Sequence, residues 1–186
     1  MDRPRVLIVD PESESQALIR KVLGRHCDLL FQPDPLFLFD ALEVFEPDLI
    51  ILELDLPHLS GFELINLIQG EPVGVGLPIM IYSSRHGVED QKLAYRLGAS
   101  HFQSKPAKPS QLFKGAAMFV RLMSRPRLPK QWPIDEVRRR LEGRREEHRV
   151  HPLLEHAMSV SRHHHDPPPR ADRSIMARIA GKRSAL

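Results

Sequence analysis

The sequence predicts an α/β protein: a five-stranded parallel sheet, doubly wound by helices on both faces, followed by a basic, largely disordered tail. Three observations carry that expectation. Short apolar runs alternate with amphipathic helical patterns over residues 1–124. The runs are apolar throughout, as in strands buried on both faces, and do not alternate with polar residues. Charge and proline content then change near Ser124-Arg125-Pro126.

The strongest strands are expected at 6–9, 48–53 and 78–83, each aliphatic and bounded by turn residues. Weaker strands are expected near 27–31 and 101–104. Helical spacing appears between them. Residues 13–23 place Ala17, Leu18, Val22 and Leu23 near i, i+4, and residues 36–45 repeat the pattern with Leu38, Leu42 and Phe45. Further helices are expected at 61–68, 88–97 and 110–123. Gly98 stands where a glycine would end the fourth. In the fifth, Leu112, Ala116, Phe119, Val120 and Met123 share a face. Right-handed crossovers between such strands wind helices onto both faces of one sheet.

Composition narrows the class. The chain has 186 residues, 41% of them hydrophobic, enough for one ordinary domain with extra segments. Cys27 is the single cysteine, so no internal disulfide forms, which fits a reducing compartment. No apolar run approaches the roughly 18 residues of a membrane span, and the N-terminus lacks a signal-peptide apolar region. A cytoplasmic location is expected, with no membrane partner. Residues 1–124 hold 12 Lys+Arg against 16 Asp+Glu, a net of −4, whereas 125–186 hold 15 against 8, a net of +7. We therefore divide the chain into a domain over 1–124 and a basic Pro/Arg/His-rich tail over 125–186.

Function in open α/β sheets gathers beyond the carboxyl ends of the strands, where the strand order reverses. The expected strands end in polar residues: Asp10 with Glu12 nearby, Glu53, Ser83, and Lys105 followed by Pro106. In the order 2-1-3-4-5 the first and third strands are neighbours, so Asp10 and Glu53 face one another with Ser83 and Lys105 alongside. A single such residue is readily a strand cap; four at matching positions point to a site.

These residues resemble the receiver domain of two-component response regulators. The segments VLIVDPE, DLIILELDLPHLSGFEL, LPIMIYSS and GASHFQSKP follow that family's pattern over residues 4 to about 124. The resemblance implies a flavodoxin-like receiver fold. It also implies an acidic pocket at Asp10 and Glu12, a phosphoacceptor position at Glu53, and switch and phosphate-contact positions at Ser83, Phe102 and Lys105. Phe102 is equally readable as packing between strand and helix.

Two departures bear on chemistry. The family carries aspartate where this chain has Glu53. One extra methylene moves the carboxylate about 1.5 Å outward, and a misplacement of about 1 Å can cost a hundredfold in rate. Pro11 takes the place of the second acidic residue, which in the family helps hold Mg²⁺. Asp10 is left as a weak Mg²⁺ ligand at most, with Glu12 as a substitute of unknown direction. No cofactor is otherwise expected.

The tail offers less. Residues from Pro133 onward open with acids and continue with arginines, as a helix dipole favours. The stripe Ile134, Val137, Leu141 is thin, as is Leu153, Leu154, Ala157, Met158; neither builds its own core. Basic clusters at 138–140, 144–145 and 182–183 could meet phosphates, but no helix-turn-helix or zinc-finger spacing accompanies them, and Trp132 alone offers stacking. Consecutive His163, His164 and His165 lack a closed metal-ligand set. A peptide-like segment that docks on a partner is the remaining reading.

Three functional readings stand at this stage. The chain is a non-enzymatic, degenerate receiver acting through protein contacts on the face of the fourth helix, fifth strand and fifth helix, as the resemblance implies. Alternatively it is a live phosphoacceptor served by a histidine kinase, or a nucleic-acid-binding regulator acting through its tail. Glu53 and Pro11 favour the first.

Overall fold

The three central strands form where a run of mainly aliphatic residues can be buried on both sides. The computed structural model describes residues 3–122, 130–146 and 150–164, without the side chains of 121, 122 and 161–164. The strands are β1 (Arg5–Val9), β2 (Asp28–Phe31), β3 (Leu49–Leu52), β4 (Ile79–Ser83) and β5 (His101–Ser104). They form one parallel sheet in the order β2-β1-β3-β4-β5. Every residue of β1, β3 and β4 is buried, whereas the edge strands β2 and β5 are half-buried.

The helices are α1 (Ser13–Leu23), α2 (Leu38–Phe45), α3 (Gly61–Gly70), α4 (Val88–Leu97), α5 (Pro109–Leu122), α6 (Ile134–Glu146) and α7 (Pro152–His164). A short 3₁₀ turn, Pro35–Phe37, precedes α2. Its Pro35 lies in the first turn, and the Asp34 side chain caps the backbone N–H of Leu36 at 2.9 Å. That turn takes up part of the helix expected at 36–45. The left-handed Gly98 (φ 113°) ends α4 as its position in the sequence suggested.

Alternation along the strands separates two cores. Val6, Ile8, Leu49, Ile51, Met80 and Tyr82 face α1 and α5. Leu7, Val9, Ile50, Leu52, Ile79 and Ile81 face the side of α2, α3 and α4. The two short helices foreseen in the tail are present, and their thin stripes are spent on this second core. Val137 and Leu154 are fully buried, and Leu141 nearly so. Trp132, Ile134, Leu153, Ala157 and Met158 pack around them, with α6 lying on α2.

Polar contacts use the charge asymmetry of the chain. Arg144 Nη1 lies 2.5 Å from Asp40 Oδ1 and 3.1 Å from Glu43 Oε2, both on α2. Lys130 Nζ donates to the Glu46 carbonyl at 2.7 Å and reaches Asp48 Oδ1 at 3.1 Å. The Arg5 guanidinium donates to the Trp132 carbonyl. Acid on α2 and the turn after it thus meets base from the C-terminal segment. The expected boundary at 124–126, His165, the prolines at 167–169 and the basic pair at 182–183 lie outside the described residues. His163 and His164 belong to the backbone of α7.

Among the described residues no helix is long and apolar enough to cross a membrane.

Removing the fully buried Leu154 side chain should leave a cavity that α7 cannot close. Leu154→Ala is expected to lower stability by about 2–5 kcal/mol and to shift Trp132 emission to the red. Urea unfolding followed at that tryptophan measures both; an unchanged midpoint would mean the α7 contact contributes nothing.

Candidate functional site

The sheet register assembles the site. Val9 pairs with Leu52, so the next residues, Asp10 and Glu53, come out abreast at the carboxyl edge. The Glu53 N–H donates to the Val9 carbonyl at 2.9 Å and extends that ladder. Ser83 pairs with Ser104 across β4 and β5, and the Lys105 N–H donates to the Ser83 carbonyl at 2.8 Å. Lys105 therefore starts two strands from β3 and spans the gap with its side chain.

The loop after β3 is held tightly against the site. The Gly61 N–H donates to the Leu54 carbonyl at 2.8 Å. A Cβ at Gly61 would lie 2.5 Å from the Glu53 carbonyl oxygen and 2.7 Å from Leu54 Cα, so the close approach of α3 requires glycine here. Ser60 and Glu63 form a reciprocal capping box at the start of α3.

Lys105 Nζ lies 2.6 Å from Glu53 Oε2, 2.8 Å from Asp10 Oδ2 and 2.9 Å from Glu12 Oε2. Its side chain is only 9% exposed, and Nζ sits 5.2 Å from the centroid of the Tyr82 ring. Glu53 uses both carboxylate oxygens. Oε2 meets Lys105, while Oε1 accepts from the Ser83 hydroxyl and from the N–H groups of Leu54 (2.6 Å) and Asp55 (3.2 Å). Ser83 Oγ accepts in turn from the Arg85 N–H at 3.1 Å. Asp10 Oδ1 accepts from the Glu12 N–H at 2.8 Å, and Ser15 Oγ donates to Glu12 Oε2 at 2.7 Å.

Three carboxylates share one ammonium. Burial pushes the Lys105 ammonium down, but hydrogen bonds to Asp10, Glu53 and Glu12 outweigh it and hold the group above its ordinary value. Burial pushes Asp10 up, and its bonds to Lys105 and to the Glu12 N–H only partly offset this. Glu12 is drawn down by Lys105 and Ser15. The upward shifts of Asp10 and Lys105 pull in opposite senses on one ion pair. The 2.8 Å contact decides for the charged pair, with Asp10 its less well compensated member.

Asp10, Glu12, Glu53, Ser83 and Lys105 are thus brought together. Oxygens of Asp10, Glu12 and Glu53 lie within 4.8 Å of one another, a spacing that suits a hard metal ion. Glu12, of unknown direction in the sequence, points into this group. Phe102 stands apart: half-buried in β5, it packs against the core on the α2–α4 side. Asp55 faces away and lies 3.6 Å from Arg85, which also holds Asp90 at 2.8 Å. Arg85, Ser15 and Tyr82 were not singled out from the sequence. Arg85 contributes through its backbone N–H, which no pattern of side chains announces.

Comparison with known proteins follows the same outline. Residues 6–117 match the family model of the response regulator receiver domain. The chain is 34% identical over 110 residues to the protein-glutamate methylesterase/protein-glutamine glutaminase of Treponema pallidum, covering 54% of this chain and 26% of that protein. It is 28% identical over 111 residues to the DNA-binding response regulator MtrA of Mycolicibacterium paratuberculosis, covering 59% and 48%. The chain therefore spans a quarter to a half of these relatives. A CheY-like response regulator receiver domain protein from Methanospirillum hungatei superposes with a TM-score of 0.60 at 17% identity, covering 65% of this chain and 96% of that one. Chemotaxis response regulator CheY4 of Vibrio cholerae superposes with a TM-score of 0.59 at 19% identity, covering 63% and 98%. At these identities the structures speak for the fold.

Lys105→Met should leave buried carboxylates uncompensated and cost about 3 kcal/mol at pH 7. Lys105 is raised, so its contribution is complete below its ordinary 10.5 and is lost only in stronger alkali. Glu12 is lowered, so its contribution is present above its ordinary 4.5 and fades as pH falls below that. Asp10 is raised and takes up its proton readily in acid. The gap between parent and variant should hold from about pH 5 to 10 and narrow below about pH 4.5. Urea unfolding across that range tests it; a gap as wide at pH 3.5 as at pH 7 contradicts the charge account.

Proposed function

Because this chain belongs to the response regulator receiver domain family of two-component signalling, we propose that it is an atypical receiver held in one signalling state by Glu53, acting through protein contacts without phosphorylation. The observation that carries this reading is the double engagement of the Glu53 carboxylate. The Ser83 hydroxyl binds one oxygen and the Lys105 ammonium the other. In the family those two groups meet a phosphoryl group; here a built-in carboxylate takes both. Its charge is about −1 against −1.5 to −2 for a phosphoryl group, so the imitation is partial.

The same contacts argue against Glu53 as a phosphoacceptor. A nucleophile needs a free oxygen and an open approach. Glu53 is 4% exposed and both oxygens are hydrogen-bonded. The family's divalent cation fits the donor set, since Asp10, Glu12 and Glu53 offer the carboxylate oxygens that Mg²⁺ takes. Such an ion would supply charge neutralisation at the site. Pro11 contributes no side-chain oxygen, and Lys105 already bonds to all three carboxylates, so we read Mg²⁺ binding as weak.

The contact surface we assign is the face of α4, β5 and α5, where Tyr95 and Met118 are exposed. Its occupant would be a signalling protein. The activities named for the longer relatives belong to those proteins; for this chain we assign a binding role and no catalysis. The expectation of a histidine kinase partner stays an alternative tied to a working phosphoacceptor.

Treatment with a small phosphodonor and Mg²⁺ is expected to leave the intact mass unchanged. A Mg²⁺-dependent gain of one phosphoryl group on Glu53 would overturn the reading.

Glu53→Gln keeps the length and removes the charge. It should weaken the Lys105 bond, cost about 1–3 kcal/mol, and move the backbone amide resonances of β5 and α4. Resonances that stay in place on that face would reduce Glu53 to a tolerated replacement.

A further inference from the structure

On the far side of the molecule a cavity of about 260 Å³ opens where α1, β2 and α6 meet. Three arginines line it, Arg3, Arg20 and Arg138, with Asp28 as the only acid among the lining residues. The formal charge around the space is therefore +2. Arg3 is already fixed: it donates to the carbonyls of Gly24 (2.7 Å) and Cys27 (2.8 Å) and lies 3.5 Å from Asp28. The other two lack a carboxylate partner among the described residues. Arg20 rests on the Phe31 ring with its guanidinium 4.2 Å from the centroid, and Arg138 is an exposed residue of α6.

We propose that this cavity binds a small phosphate monoester. Guanidinium groups present paired N–H donors that match phosphate oxygens, and stacking on an aromatic ring holds such a fork ready. A monoester carries about −1.5 to −2 near pH 7, which balances the excess of +2. Leu29 and Ile134 also line the cavity and give an organic substituent an apolar wall. Ile134 and Arg138 are four residues apart on α6, so one face of that helix supplies both the apolar wall and a cation.

The site joins two parts of the chain. Arg3, Arg20 and Leu29 come from the receiver fold, whereas Ile134 and Arg138 come from the C-terminal helix. The complete site exists only with α6 docked, so a ligand bound there stabilises that docking by mass action. The phosphate site is separate from the acidic cluster at Glu53 and does not depend on how that cluster is read.

The single tryptophan, Trp132, lies two residues before α6 and provides a native reporter. The full chain is titrated with inorganic phosphate, ribose 5-phosphate and dimethyl phosphate, with sodium chloride at matched ionic strength. Calorimetry on the same samples reads binding should Trp132 be silent. The expected result is saturable binding of the two monoester-type anions, ribose 5-phosphate tighter than inorganic phosphate, and dimethyl phosphate weaker than ribose 5-phosphate by at least about tenfold, since a diester carries one charge less. Arg20→Ala and Arg138→Ala should each weaken ribose 5-phosphate by about tenfold with an unchanged melting temperature, and Arg138→Lys should retain part of the affinity. A non-saturating response shared with chloride overturns the proposal. So does equal affinity for the diester, which would point to a nucleic-acid backbone, or ribose 5-phosphate binding that both alanine variants keep.

Discussion

One ammonium held among three carboxylates is the constraint around which the carboxyl edge of this sheet is arranged. Lys105 Nζ touches Asp10, Glu12 and Glu53 at 2.6–2.9 Å, the first two from the loop after β1 and the third from the end of β3. Asp10 and Glu53 leave adjacent strands, and Lys105 follows the fifth. A shift of one residue in any strand would turn these side chains to the other face and leave charges stranded in the core. The register that buries the apolar strands and the register that pairs the charges are the same, which is why the cluster can lie so deep.

The cluster is nonetheless short of positive charge. One cation cannot neutralise three anions, so Asp10 is held above its ordinary range by burial even while it bonds to Lys105. Glu53 relieves its own share through local donors: the Ser83 hydroxyl and the N–H groups of Leu54 and Asp55. Its additional methylene, a fault in a nucleophile, is what lets one carboxylate meet both a serine on β4 and the lysine after β5. Gly61 supports this arrangement from beneath, because a side chain there would collide with the Glu53 carbonyl and push the loop away.

Charge organises the other end of the domain as well. Asp40 and Glu43 of α2 receive Arg144 from the C-terminal segment, and Asp48 together with the Glu46 carbonyl receives Lys130. Lys130 meets the buried Asp48, whereas the Arg144 pairs are partly exposed and contribute little singly. Their role is orientation; the stability of the contact comes from Val137, Leu141 and Leu154, which add apolar surface to the core on the α2 side.

Local pattern determined most of the fold. The spans of α1 and α4 were legible to the residue, because amphipathic spacing and turn residues bound them sharply. The three central strands were legible because a strand buried on both faces needs an unbroken apolar run, whereas the half-buried edges β2 and β5 gave weaker signals. Asp10, Glu53, Ser83 and Lys105 could be read as one site because each ends or directly follows its strand, and a parallel sheet gathers such positions on one edge. The direction of Glu12 and the backbone donation by Arg85 were decided by tertiary structure alone, since they depend on loop paths that periodicity does not encode, and so was the isolation of Phe102 from the hydrogen-bonded cluster, which depends on what packs against β5. The C-terminal helices show the same division. Their thin stripes were visible in the sequence, but a stripe too narrow to fold by itself does not say what covers it. Only the packed structure decides that α2, with its matching acids, is the surface that buries it.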